Sequence, residues 1–70
     1  MTQEESFVLS FLQERPDSAF SRGEIARKAA KRSVYEADRR WVDAPLASLV
    51  AQRLVQVDGS GNYQIYKPDF

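Results

Sequence analysis

Between Ser21 and Arg40 the chain carries Arg22, Arg27, Lys28, Lys31, Arg32, Arg39 and Arg40 against Glu24, Glu36 and Asp38: seven bases less three acids, net +4. The flanks have the opposite sign. Residues 1–20 hold Arg15 against Glu4, Glu5, Glu14 and Asp17 (net −3), and residues 41–70 hold Arg53 and Lys67 against Asp43, Asp58 and Asp69 (net −1), so the whole chain sums to zero. Clustered cations of this kind neutralise phosphate oxygens, and arginine does so with a two-pronged hydrogen bond. The expected phosphate contacts are Arg22, Lys31, Arg32, Arg39 and Arg40. The plainer alternative is a solvated helix face, with Glu24 pairing Lys28 one turn on.

Later in the chain, Ser48 and Gln52 fall on outward positions of an expected helix. A side-chain amide pairs with adenine through two hydrogen bonds, so of the outward positions only Gln52 and the following Arg53 have base-reading chemistry. Ser48 and Gln52 are the expected groove-facing residues, with Arg53 close behind. The other outward positions, Ala44, Ala47 and Ala51, have no base-reading chemistry. The loop Asp58-Gly59-Ser60-Gly61-Asn62 carries no cation. It is expected to offer phosphates only Ser60, Asn62 and backbone N–H groups.

Catalysis is a poor fit. The chain has no cysteine and no histidine. It therefore lacks a thiol nucleophile, a disulfide staple, and the commonest general base and metal ligand. Asp38 and Asp43 are the nearest acidic pair, and they lie on a connecting segment. The expectation is no enzyme, no metal and no cofactor. Seventy residues make one domain. The start, Met1-Thr2-Gln3-Glu4-Glu5, is acidic where a secretory signal is basic. No apolar run exceeds Leu49-Val50-Ala51 in length, far below the roughly 18–20 residues of a membrane span. A cytoplasmic protein without membrane contact is expected.

Four helices and a hairpin must position these groups. Thr2 and Glu5 form a Thr-x-x-Glu capping box, after which Phe7, Val8, Phe11 and Leu12 keep to one helical face. Arg15-Pro16-Asp17 stops that helix, because the residue before proline is pushed out of helical geometry. Ser21-Arg22-Gly23-Glu24 is a second box, with Phe20 and Ile25 as its hydrophobic staple, so a second helix begins near Arg22. Ile25, Ala26, Ala29 and Ala30 form its small inner face. Ser33-Val34-Tyr35-Glu36 is a third box and predicts a short helix running to about Arg40. Asp43, followed by Ala44-Pro45, predicts a further start, since aspartate caps well and proline is tolerated in a first turn. Leu46, Leu49, Val50 and Leu54 form the stripe of that last helix, which ends at Leu54-Val55. Trp41 and Val42 are expected where the last two helices meet.

Val55 and Val57, then Tyr63 and Ile65, alternate with polar neighbours as half-buried strands do. The glycines between them suit a hairpin loop that needs positive φ. Residues 67–70 read as a tail, with Pro68 barring further pairing and Phe70 at its end. The expected core is Phe7, Phe11, Leu12, Ile25, Leu46, Leu49, Val50, Leu54, Val55 and Ile65.

The run Phe20-Ser21-Arg22-Gly23-Glu24-Ile25-Ala26 resembles the second-helix entry of winged helix-turn-helix domains. Leu46-Ala47-Ser48-Leu49 with Arg53-Leu54-Val55 resembles the end of their recognition helix, and Gly61-Asn62-Tyr63-Gln64-Ile65 their returning wing strand. The chain departs from the pattern in a longer connection around Lys31 to Arg40, and in Arg53 where a small residue is usual. The resemblance implies an α+β fold. It would be a three-helix winged helix-turn-helix with an extra short helix or extended connection before the third main helix, and a C-terminal β-hairpin wing. It also implies DNA binding, as a small transcriptional regulator or a module of one. A monomer would bind weakly, which implies a homodimer or a larger host assembly. The alternative is a winged helix used only to bind protein, through Trp41, Tyr35, Ala47 and Ala51, because interface cores are poor in charge and rich in aromatics.

Overall fold

The computed structural model describes residues 2–66. The expected tail, with Phe70, lies outside the described residues. The fold is α+β, with four helices and one antiparallel sheet of three strands. In chain order these are α1 (Gln3–Gln13), β1 (Phe20–Ser21), α2 (Arg22–Lys28), α3 (Arg32–Ala37), α4 (Asp43–Ala51), β2 (Val55–Val57) and β3 (Asn62–Ile65).

Helix α1 begins with the expected reciprocal box. The Glu5 N–H donates to Thr2 Oγ1 at 3.2 Å, and the Thr2 N–H donates to Glu5 Oε1 at 3.1 Å. Two of the orphan donors of a helix start are thereby satisfied. The second box forms only in its first half. Ser21 Oγ accepts from the Glu24 N–H at 3.2 Å, while the Glu24 carboxylate turns to Lys28 Nζ at 3.8 Å. The third box does not form. Helix α3 starts at Arg32 behind Lys31, with no side-chain cap, and ends at Ala37 rather than Arg40. Glu36 bonds Arg32 at 2.7 Å, one turn back, so it is not available to Ser33.

Asp43 is the first residue of α4, not its cap. Val42 before it already has helical angles (φ −80, ψ −14). The chain enters α4 through tight turns in which Trp41 N–H donates to Asp38 O and Asp43 N–H to Arg40 O. The helix ends at Ala51 in a left-handed turn. Arg53 has φ +60, its N–H donates to Val50 O, and Leu54 N–H donates to Leu49 O. This paired bonding closes orphan carbonyls of the last turn. The helix therefore stops short of the expected Leu54-Val55, and Leu54 leaves the stripe at 37% exposure. It is a surface residue, not a core residue.

Val8, Phe11 and Leu12 of α1, Ile25 and Ala26 of α2, Trp41 and Val42, Leu46 and Leu49 of α4, and Val55 of β2 form one buried cluster. Phe7, Val50 and Ile65, expected within it, pack half-buried at its edge. Trp41 belongs to the core rather than to a surface. Phe7 meets it edge-on, with ring centroids 6.4 Å apart. The indole N–H of Trp41 donates to Ala26 O at 2.9 Å. It thereby caps a carbonyl near the C-terminal end of α2, which would otherwise be buried unpaired.

The hairpin has the register the alternation requires: Val55 opposite Ile65, Gln56 opposite Gln64, Val57 opposite Tyr63. Gly61 takes φ +83 in the loop, where a side chain would be strained. The sheet has one strand that the sequence reading missed. Phe20 and Ser21 pair with Tyr63 and Asn62, placing β3 in the centre in the order β1-β3-β2. Phe20 reaches the core from this strand, its ring 5.0 Å from that of Phe11. No helix of the described residues is long and apolar enough to cross a membrane.

Candidate nucleic-acid interface

The cations of the 21–40 segment divide into two sets. Three are tied to carboxylates: Arg22 to Asp43 at 3.1 Å, Lys28 to Glu24 at 3.8 Å, and Arg32 to Glu36 at 2.7 Å. The first of these joins the opening turns of α2 and α4. All three pairs are exposed, so each adds little stability. Among the described residues, Arg27, Lys31 and Arg40 have no carboxylate partner within 4 Å. The Arg39 guanidinium also has none, and lies over the Tyr35 ring, 6.0 Å from its centroid.

Of the expected phosphate contacts, then, Lys31, Arg39 and Arg40 are exposed and unspent on acids, while Arg22 and Arg32 are engaged within the domain. Arg27 was not among the expected contacts and belongs with the unspent set. Its signal was present: Glu24 is the one acid within a turn of Arg27, and it also stands four residues before Lys28, in the favourable order for a pair. Glu24 therefore takes Lys28 and leaves Arg27 without an acid.

The expected groove-facing residues are turned elsewhere. Ser48 Oγ donates to Glu5 Oε2 at 2.9 Å, and Gln52 Nε2 donates to the same oxygen at 3.1 Å and to Ser48 Oγ at 3.0 Å. Both side chains are directed at α1. What α4 exposes is Asp43, Ala44, Ala47 and Ala51. Glu5 itself is 8% exposed, the one buried charged side chain among the described residues. The Thr2 backbone N–H, followed by the Ser48 hydroxyl, holds its carboxyl below the ordinary glutamate value. Burial opposes this, and the Thr2 hydroxyl and Gln52 amide add to it.

The hairpin loop is occupied as well. Asp58 Oδ1 accepts from the N–H groups of Ser60 at 2.8 Å and Asn62 at 3.1 Å. Those two donors, expected to be free for phosphates, are satisfied internally. A negative side chain sits at the turn instead.

Between α4 and the hairpin runs a groove of about 510 Å³ with Leu46, Ala47, Val50, Ala51, Val57 and Tyr63 along its walls and the Arg22–Asp43 pair on its lining. A second groove, of about 460 Å³, lies between α1 and α4 and contains Glu4, Glu5 and Asp38. The molecule thus presents an apolar groove beside α4, an acidic groove beside α1, and unspent cations from the end of α2 to the entry of α4. No protein-family model matches this chain, and no curated protein or solved structure is significantly similar to it.

Proposed function

We propose that this chain is a winged helix-type domain that binds DNA through its phosphates, as a small transcriptional regulator or a module of one. The element order supports the fold reading. A helix, a short strand, helices and a hairpin follow one another, and the first strand pairs with the last. The observation that carries the function is the unspent set Arg27, Lys31, Arg39 and Arg40. A domain of net charge zero pairs many of its charges, yet leaves these four without acids on one continuous segment. Because Ser48 and Gln52 are engaged by Glu5, the binding positions a phosphate backbone without reading bases, and affinity is the same for all sequences.

If about four phosphates are neutralised, the log–log salt slope is about −3.6, so raising salt from about 50 to 200 mM lowers affinity roughly a hundredfold. The test is fluorescence anisotropy with labelled random duplex DNA at low salt. Binding that weakens with this slope, and is reduced by Lys31→Glu with Arg40→Glu, supports the proposal. Absence of binding to DNA of either form, duplex or single-stranded, at about 100 μM protein defeats it, because non-specific affinities of DNA-binding proteins are typically about 10⁻⁴–10⁻⁶ M even at physiological salt.

A second reading, a protein-interaction module that does not bind DNA, is favoured by the apolar groove between α4 and the hairpin. Val57, at 45% exposure, and the alanines of α4 suit an apolar side chain of a protein partner, a second copy of this chain included. Loss of self-association on Val57→Asp, measured by sedimentation, supports this second reading.

A further inference from the structure

The unspent cations flank α3 along the chain, and one of them, Arg39, lies by the ring of Tyr35 within it. Arg27 is in the last turn of α2, Lys31 is at the N-cap position of α3, and Arg39 and Arg40 follow its end. Between them α3 has six residues, about 9 Å of helix, and bears Tyr35, half-exposed. The Arg39 guanidinium sits 6.0 Å from the Tyr35 ring centroid, at the outer limit of cation–π attraction. Little energy holds that contact closed. We propose that this track takes single-stranded nucleic acid: one base stacks on Tyr35, and the flanking phosphates lie on Arg27 and Lys31 at one end and Arg39 and Arg40 at the other.

The proposal rests on the phosphate-binding reading above and narrows its ligand. Single strands are held by cationic tracks with aromatic platforms, because every unpaired base offers a π face. A duplex buries those faces in its own stack, so a ring within the track gains nothing from it. The face that would enter a duplex groove is poorly equipped. Helix α4 exposes Asp43 and three alanines, the hairpin turn presents Asp58, and among the described residues of α4, β2 and β3 and their connections Arg53 is the sole cation. The chemistry that suits a strand and the chemistry that suits a duplex are on different parts of the molecule, and only the first is present in strength.

The experiment compares a labelled twelve-nucleotide oligothymidylate with a duplex of the same length, at low salt, on wild type, Tyr35→Phe and Tyr35→Leu. The expected result is single-strand binding several-fold tighter than duplex binding. Tyr35→Leu should lower single-strand affinity about tenfold, the typical loss of one stacked base, while duplex affinity is unchanged and Tyr35→Phe binds as wild type. Duplex binding equal to or tighter than single-strand binding overturns the proposal but leaves the phosphate reading standing. So does a folded Tyr35→Leu that binds the strand like wild type. Binding of neither nucleic acid defeats both. Tyr35 packs against the core, so Tyr35→Leu is first checked by thermal melt. If it does not fold, the strand-to-duplex ratio of the wild type decides by itself.

Discussion

Ser48 Oγ and Glu5 Oε2 are 2.9 Å apart, and the residues are 43 positions apart in sequence. This bond ties the middle of α4 to the first turn of α1. Gln52 joins the same oxygen from one turn further along α4. Glu5 therefore has two roles: it completes the cap of its own helix and anchors α4.

Acid should loosen this anchor. The native carboxyl of Glu5 is depressed, first by the Thr2 N–H and next by the Ser48 hydroxyl. A depressed carboxyl contributes stability that is fully present above the ordinary glutamate pKa, about 4.3. That contribution is lost as pH falls through the lower native value. Thermal melts between pH 7 and pH 3 should show a steeper acid loss for wild type than for Glu5→Gln, which is less stable at pH 7 and cannot titrate there. Parallel pH profiles for the two proteins would show that Glu5 does not carry this dependence.

Arg53 should be replaceable with profit. It occupies φ +60, a conformation that costs a residue with a Cβ about 1–2 kcal/mol and costs glycine little. Arg53→Gly is expected to raise stability by about 0.5–1 kcal/mol, since glycine also adds unfolded-chain entropy. For a domain of 60–100 residues about 1 kcal/mol shifts Tm by about 4–8 °C. Arg53→Ala keeps the strain and should not raise Tm. A gain with alanine equal to that with glycine would argue against left-handed strain as the cause.

The indole of Trp41 should matter beyond its bulk. Trp41→Phe keeps an aromatic ring in the core but leaves Ala26 O without its donor at 2.9 Å. The expected loss is about 1–3 kcal/mol, the cost of a buried unsatisfied carbonyl, with any cavity adding to it. Urea unfolding followed by circular dichroism measures it, since the substitution removes the one tryptophan of the chain.

Leu49 and Leu54 are one contrast the sequence stripe does not reveal. Leu49 is fully buried and Leu54 is 37% exposed. Leu49→Ala is expected to cost about 2–5 kcal/mol, enough to unfold a domain of this size. Leu54→Ala should cost well under half as much. Equal costs would contradict the early stop of α4.

The contrast shows what local pattern carries. The Thr2–Glu5 box, the Ser21 cap, the hairpin alternation and most of the apolar stripes were legible because neighbours within four residues decide them. Strand β1 was not. Two residues show no period, and the helix cap on Ser21 masked its pairing with Asn62. The stop of α4 was not legible either, because Arg53 in a left-handed turn gives no glycine signal. The Glu5–Ser48–Gln52 cluster lies further out of reach. Each of its members is polar and belongs on a surface by residue type, and only the packing of α1 against α4 brings them together.

Gln52 supplies the test of that last point. From sequence it is a base-reading residue, and Gln52→Ala would then relax preference for adenine, an effect of about 1–3 kcal/mol between sites. In the structure its amide donates to Glu5 and Ser48. Gln52→Ala should instead leave any DNA binding unchanged in strength and sequence preference, and lower thermal stability by removing a donor from the Glu5 carboxylate. Lys31→Glu with Arg40→Glu should do the opposite, weakening DNA binding for all sequences alike with little effect on the melt, because both side chains are exposed and bonded to no acid. Anisotropy against adenine-rich and guanine-rich duplexes, set beside melting curves for the same variants, separates the two patterns. A Gln52→Ala protein that melts like wild type but loses its preference between those duplexes would show that α4 does read bases, and that the Glu5 cluster opens when DNA binds.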